Sequence, residues 1–230
     1  MKTRQFSVHP SIRPAIEGFK TYWPAMLAIQ ACGLCVTLAY YFFDASRPVF
    51  EKFETWKQEG GLIFAAVATI ISAGIIPELV KRAIRPANIK PPKLGELAHQ
   101  FAMWAWLGIL VEAFYRFLAH VFGHGTDALT LVKKVAVDQL LFSPLLSLPL
   151  IVTWFLLYES GYKLPVFLKT LRLRTIYARV FPLWATCLSF WPIMLAITFS
   201  LPQTLQFVLF LFGNAAFSIL MIFIIRRQSA

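Results

Sequence analysis

The chain carries six stretches of about 20 mainly apolar residues, separated by shorter and more polar connections. They cover residues 23–43, 60–80, 97–122, 138–158, 180–200 and 205–225. At 1.5 Å per residue, about 20 helical residues cross the roughly 30 Å hydrocarbon core of a bilayer. The pattern therefore predicts an all-α fold, a multi-pass transmembrane bundle of about six spans.

Composition supports a membrane location. Hydrophobic residues make up 58% of the 230 residues and charged residues 14%, with a mean hydropathy of +0.66. A soluble domain needs more polar side chains than this to cover its surface. The connections are too short for a second, soluble domain, so we expect residues 1–230 to form a single integral membrane domain.

The basic residues predict an orientation. Of the 22 Lys and Arg residues, 16 lie before the first stretch, in 81–95, in 159–179 or after the last stretch. Six spans place all four of these segments on one side of the membrane. Basic residues collect in cytoplasmic loops, so we expect both termini on the cytoplasmic side. The net charge of +11 follows from this topology, and nucleic-acid binding is not expected.

The third stretch contains two charged residues, Glu112 and Arg116. At helical spacing they share a face with small residues such as Gly108, while the opposite face carries bulky side chains. That bulky face comprises Trp104, Leu107, Val111, Phe114, Leu118 and Val121. Small residues allow helices to approach closely, so the polar face is expected to point into the bundle and the bulky face toward lipid.

Two interpretations of Glu112 are open. A charge near mid-bilayer costs about 2.5–3.5 kcal/mol even on the lenient insertion scale, so this carboxylate must be paired, neutralised or hydrated. In the first interpretation an ion pair with Arg116, four residues on, fixes helix packing. In the second, the pair lines a hydrated path between helices.

A second polar group lies at the start of the fourth stretch. Lys133 and Lys134 precede Asp138 and Gln139, and Lys134 and Asp138 share a helical face. These residues either anchor and cap the outer end of the span or surround the mouth of a pore. Anchoring is favoured for Lys133, whose side chain is long enough to reach the interface.

Prolines interrupt several of the apolar stretches. Pro77, Pro144, Pro149 and Pro192 each remove a backbone donor, which kinks a helix and leaves a carbonyl in need of another partner. Helices that bend away from a bundle are one way to open a cavity.

The spacing of these residues resembles that of the Mpv-seventeen and twenty-two-kilodalton peroxisomal membrane protein family. Lys134, Asp138, Gln139 and Pro144 match its pattern of Lys, three residues, Asp-Gln, four residues and Pro. The stretch "GILVEAFYRFL" matches a preceding motif at Gly108, Tyr115 and Leu118, with Glu112 where the family has His. Later, "WPIMLAITFSLP" matches at Trp191, Pro192, Phe199 and Pro202.

The resemblance extends from about Ile70 to the C-terminus, so residues 1–59 would be an N-terminal tail and extra span and 60–230 the family-like core. It implies a weakly selective channel for small solutes in a peroxisomal or mitochondrial inner membrane, and a bacterial plasma membrane is equally compatible. Glu112, Arg116, Lys134, Asp138 and Gln139 are the candidate pore-lining residues. The alternative is a non-conducting structural or assembly factor.

No catalytic constellation is present, so enzymatic activity is not expected. His120 and His124 have the spacing of metal ligands, but a position in an outer loop explains them more simply, and we expect no metal and no cofactor. Membrane lipids and small solutes are the expected partners. Self-association into a homo-oligomer is left open.

Overall fold

The computed structural model describes residues 13–84 and 92–228, and every regular element in these ranges is helical. The α-helices are α1 (Arg13–Phe42), α2 (Arg47–Thr69), α3 (Ile76–Ile84), α4 (Leu94–Phe122), α5 (Ala128–Val137), α6 (Leu148–Glu159), α7 (Leu164–Thr170), α8 (Leu173–Ser200) and α9 (Gln203–Gln228). Two π-helical segments, Ile70–Ile75 and Asp138–Ser147, join α2 to α3 and α5 to α6. The prediction of an all-α bundle is confirmed for the described residues.

All six apolar stretches lie in helices, and four of these helices are long and apolar enough to cross a membrane. The four cover Asp44–Val80, Leu94–Phe122, Ala128–Glu159 and Leu173–Ser200. The apolar parts of the first and last helices, Met26–Phe42 and Leu205–Ile219, are shorter. Large apolar side chains such as Ile63 and Ile193 are 76% and 69% exposed on the outside of the bundle. These features are compatible with an integral membrane protein, because lipid covers such a surface.

Helices α4 and α6 run antiparallel. The ring of Phe114 in α4 stacks on Phe142 with centroids 3.9 Å apart, while His99, four turns earlier in α4, bonds to the carbonyl of Trp154 in α6. The order of contacts is therefore reversed between the two helices. The loop 123–127, the turn 201–202 and the first part of α2 consequently meet at one end of the bundle, which we call the cavity end.

Helix α2 is broken at Gly61. This residue has φ 50° and ψ −124°, a conformation that L side chains rarely adopt and glycine adopts readily. The break separates residues 47–60, which we call the outer segment, from the apolar remainder of α2. Charged residues alternate with aromatic ones in the outer segment, and Phe50 is buried while Trp56 is 51% exposed.

Helix α4 packs against neighbours on two faces. Gly108 lies against α2, where a Cβ at this position would be 2.6 Å from Thr69 Oγ1 and 2.7 Å from the carbonyl oxygen of Ala65. The prediction that small residues face a neighbouring helix is thus confirmed at Gly108 but not at Ala98 and Ala102, which are exposed. The bulky face is not lipid-facing as predicted, because Trp104, Leu107 and Leu118 are buried.

The main apolar core explains this correction. It combines Trp104 and Leu107 with side chains from α6 and α8, including Leu148, Val152 and Leu183. A central helix buries both its small and its large side chains, whereas the prediction assumed a helix with one lipid-facing side. Trp106 and Phe117, which lie between the two faces, are exposed, and so is Val121 at the end of the bulky face.

The π-helical segment Asp138–Ser147 contains Pro144. In π-helical geometry the carbonyl of residue 139 pairs with the N–H of residue 144, and proline has no N–H. The indole Nε1–H of Trp184 in α8 donates to this carbonyl of Gln139 instead, at 2.7 Å. We expected a proline to leave a carbonyl in need of another partner. At Gln139 that partner is the side chain of Trp184 from α8.

Candidate functional site

A cavity of about 500 Å³ opens at the cavity end between α2, α4, α5, α8 and α9. Its wall combines aromatic rings with polar and charged side chains. The lining residues are Phe53, Glu54, Lys57, Gln58, Glu112, Tyr115, Arg116, Leu118, Ala119, His124, Thr126, Lys134, Thr198, Phe199, Leu201, Pro202, Gln206, Phe207 and Phe210. Three of the five predicted site residues, Glu112, Arg116 and Lys134, are among them.

Glu112 is the centre of an ion-pair cluster on the cavity wall. Its side chain is buried, and Oε1 accepts a hydrogen bond from Arg116 Nε at 2.9 Å. Lys57 of the outer segment approaches Oε2 at 3.7 Å. The intrahelical pair with Arg116 was predicted from the spacing of four residues, whereas Lys57 was not, because it comes from a different helix. Two cations therefore share one carboxylate, as desolvation of a buried charge requires.

Lys134 lies across the cavity on α5. It is 8% exposed, and its amine lies 5.9 Å from the ring centroid of Phe199. In contrast to Lys57 and Arg116, it forms no ion pair with a carboxylate in the part of the chain that the structure describes. The neighbouring Lys133 is exposed. Lys134 thus presents a positive charge that Asp127, at the start of α5, offsets electrostatically but without an ion pair among the described residues.

Asp127 positions the helix that carries Lys134. Its Oδ1 accepts the backbone N–H of Thr130 at 3.0 Å and so caps α5. Hydrogen bonds from the side chain and backbone of Thr130 lower the pKa of the Asp127 carboxyl group. A lowered pKa in the folded state means that this cap stabilises the protein above the unfolded pKa and is lost as the pH falls through the folded one.

Asp138 and Gln139 do not line the cavity. Asp138 is buried in the bundle, where Oδ1 accepts hydrogen bonds from Gln139 Nε2 at 2.6 Å and Ser143 Oγ at 3.5 Å. The side chain of Tyr115, which lines the cavity, also interacts with this carboxyl group.

The structure therefore separates the side chains of Lys134 and Asp138, although a spacing of four residues puts both on the same side of a helix. Side chains tilt toward the N-terminus of their helix, and the long stem of Lys134 reaches the cavity end. The short side chain of Asp138 stays at its own level and takes the nearer donors, Gln139 and Ser143.

Two polar clusters were missed by the sequence analysis. His99 is buried near the other end of the bundle, where Nε2 bonds to the carbonyl of Trp154 at 2.9 Å and Nδ1 to the hydroxyl of Tyr162 at 2.8 Å. A carbonyl only accepts, so Nε2–H is the donor and Nδ1 accepts from Tyr162. Asn214 of α9 donates to Ser72 Oγ at 3.4 Å between buried side chains. The signal was available, since His99 and Asn214 are polar residues within apolar stretches.

Comparison of the chain with protein-family models, with curated proteins and with solved structures found no match. The resemblance to the Mpv-seventeen family therefore stays a prediction from short motifs. Within the described residues, no three His, Cys, Asp or Glu side chains come together in a group that could hold a metal ion.

Proposed function

We propose that this protein is an integral membrane protein that lets small solutes pass through its helical bundle with weak selectivity, by way of the cavity. The proposal rests on one observation: Glu112, a buried carboxylate within an apolar helix, faces a cavity of about 500 Å³ that also holds Arg116 and Lys57. Buried charges within membrane helices typically mark substrate or ion pathways.

The topology belongs to the same proposal. All six long helical segments cross the membrane, and both termini lie on the cytoplasmic side, as the distribution of Lys and Arg indicates. The antiparallel packing of α4 and α6 supports this, because the basic connection 159–179 then begins at the end of the bundle opposite the cavity end. Pro77, Pro144, Pro149 and Pro192 bend their helices, and the π-helical segments next to Pro77 and around Pro144 are the places where bending is easiest.

One observation favours the alternative, a non-conducting structural or assembly factor. Beyond the cavity, toward the other end of the bundle, Met103 is fully buried and Trp104 is 2% exposed in the apolar core. A solute that enters the cavity must therefore displace packed side chains in order to cross. A protein that never opens this core would keep the cavity as a closed pocket.

Solute flux into liposomes distinguishes the two functions. The purified full-length chain is reconstituted, and swelling is followed by light scattering with uncharged solutes of increasing size. Ala119 is half-buried on the cavity wall, so Ala119→Trp should fill the cavity and reduce flux severalfold. Ala113 is an exposed alanine of the same helix, so Ala113→Trp should conduct as the unaltered protein does.

Flux no faster than in protein-free liposomes would overturn the channel proposal and favour the structural role. Equal flux from both tryptophan variants would show that solute crosses elsewhere.

A further inference from the structure

The charge on the cavity wall is unbalanced. The lining contains the cations Lys57, Arg116 and Lys134 and the carboxylates Glu54 and Glu112. Glu112 is already shared by Lys57 and Arg116, and Glu54 accepts a hydrogen bond from Gln58 at 3.3 Å. Among the described residues Lys134 forms no ion pair, and the acid that acts on it electrostatically, Asp127, does not line the cavity.

Burial makes this lysine costly. The residue is 8% exposed, and its amine, which faces the cavity, has electrostatic compensation from Asp127 but no carboxylate in direct contact. The ring of Phe199, 5.9 Å from the amine, offers only a weak cation–π contact at that distance. An anion in the cavity would supply the missing contact.

The surrounding wall indicates what kind of anion fits. Phe199, Phe207 and Phe210 line the same cavity, and Lys57 already lies 4.6 Å from the ring centroid of Phe207. Inorganic anions gain nothing from aromatic walls, whereas an organic anion buries its apolar body against them. The hydroxyl of Thr126 also lies on the wall and can make a secondary contact, whereas the amide of Gln206 already donates to the carbonyls of Phe199 and Leu201.

We propose that the cavity binds a small organic anion, with its carboxylate or phosphate oxygens on the amine of Lys134 and its apolar part against the phenylalanine wall. This inference rests on the proposed function, because it names the class of solute that enters the same cavity. Solutes with one oxyanion group and a small apolar or aromatic body are the expected ligands. The oxyanion could belong to a free solute or to an anionic lipid headgroup at the cavity mouth.

Binding is tested in detergent, where it is measured whether or not solute crosses a membrane. The probe is benzoate, compared with neutral benzamide and with inorganic phosphate, and the readout is the shift in melting temperature at increasing ligand concentration. Benzoate should stabilise the unaltered protein, benzamide should not, and phosphate should act only at higher concentration.

The variants isolate the charge. Lys134→Gln should weaken benzoate binding about tenfold or more, and Lys134→Arg should restore most of it, because a charge-assisted hydrogen bond is lost in the first and kept in the second. Lys133→Gln is the matched control, since it removes an exposed charge from the next residue and should leave binding unchanged.

A second arm identifies the source of the oxyanion. The same melting experiment is repeated with added phosphatidylglycerol or phosphatidylcholine in place of benzoate. Stabilisation by phosphatidylglycerol alone, lost in Lys134→Gln, would keep the anion site and assign it to a lipid headgroup.

The inference is overturned if benzoate and benzamide act equally on the unaltered protein and neither lipid discriminates. That comparison needs no variant to fold. An equal loss of benzoate binding in Lys133→Gln would also contradict it. Benzoate binding without any liposome flux would overturn only the transport role, and flux without benzoate binding only the anion site.

Discussion

Single residues set how closely α2 and α4 approach. At Gly108 an added methyl group would lie within 2.6–2.8 Å of Thr69 Oγ1, the carbonyl oxygen of Ala65 and Thr69 Cβ. Two of these atoms are polar and one belongs to the backbone, so they cannot move aside as a flexible side-chain tip can. In membranes, contacts between small residues supply much of the association between helices.

Gly108→Ala should therefore destabilise the bundle by about 1–3 kcal/mol, the usual cost of overpacking a tight interface. Melting of the purified protein in detergent measures this effect. Gly95→Ala is the matched control, because no atom lies within 4 Å of its added Cβ, and it should be neutral or slightly stabilising. Equal melting temperatures for the two variants would contradict the close packing at Gly108.

The sequence was sufficient to predict the contacts of some of these residues and not those of others. The pairing of Glu112 with Arg116 and the position of Gly108 on a packed face follow from spacing along one helix and from the scarcity of polar and small residues in apolar stretches. Lys57 could not be found in this way, since its contact with Glu112 depends on how α2 lies against α4. The burial of Trp104 likewise depends on α6 and α8 covering the bulky face of α4.

At the scale of elements, the π-helical segment after α5 is stabilised from outside. Pro144 cannot donate to the carbonyl of Gln139, and Trp184 of α8 does so at 2.7 Å. An unsatisfied buried carbonyl has a high free-energy cost in an apolar bundle. This hydrogen bond therefore couples the irregular segment to a neighbouring helix.

Trp184→Phe should cost about 1–3 kcal/mol in stability, because the carbonyl of Gln139 loses its donor. The cost should fall in a Pro144→Ala background, where the backbone N–H introduced at position 144 can pair with that carbonyl. A double-mutant cycle of detergent melting measures this coupling. Trp106→Phe, at a 49% exposed residue of α4, is the control and should have little effect in either background. Additive effects of Trp184→Phe and Pro144→Ala would mean that the indole does not substitute for the proline's missing donor.

The break at Gly61 also belongs to this scale. The sequence predicted that an apolar stretch begins at residue 60, and the structure shows why the helix that precedes it is separate. The outer segment places the amine of Lys57 beside the carboxylate of Glu112. The break in α2 therefore adds a second cation to the charge cluster on α4. A glycine in the left-handed region at this point cannot be inferred from the sequence, since Gly60 and Gly61 are adjacent and equally suitable.

At the scale of the whole molecule, the two ends of the bundle differ in polarity. The cavity end holds Glu112 with its two cations and also Lys134, whereas the other half is filled by side chains such as Met103, Val152 and Leu183. Tyr115 lies at the boundary, since it lines the cavity and also interacts with the buried Asp138. Water should therefore reach about half of the bundle in the state described here.

Cysteine reactivity along α4 locates this boundary. In a protein whose native cysteines are replaced, Ala119→Cys and Glu112→Cys should react with a charged, membrane-impermeant thiosulfonate reagent added to liposomes. Leu107→Cys and Met103→Cys should react about tenfold more slowly or not at all, because their side chains are buried in the core and are reached only by local opening. Complete reaction of all four after unfolding in detergent is the control for thiol integrity.

Protection at position 112 would mean that the cavity is dry and would remove the support for a solute path. Rapid reaction at 103 would instead mean that the core opens readily, which favours conduction and contradicts a sealed half.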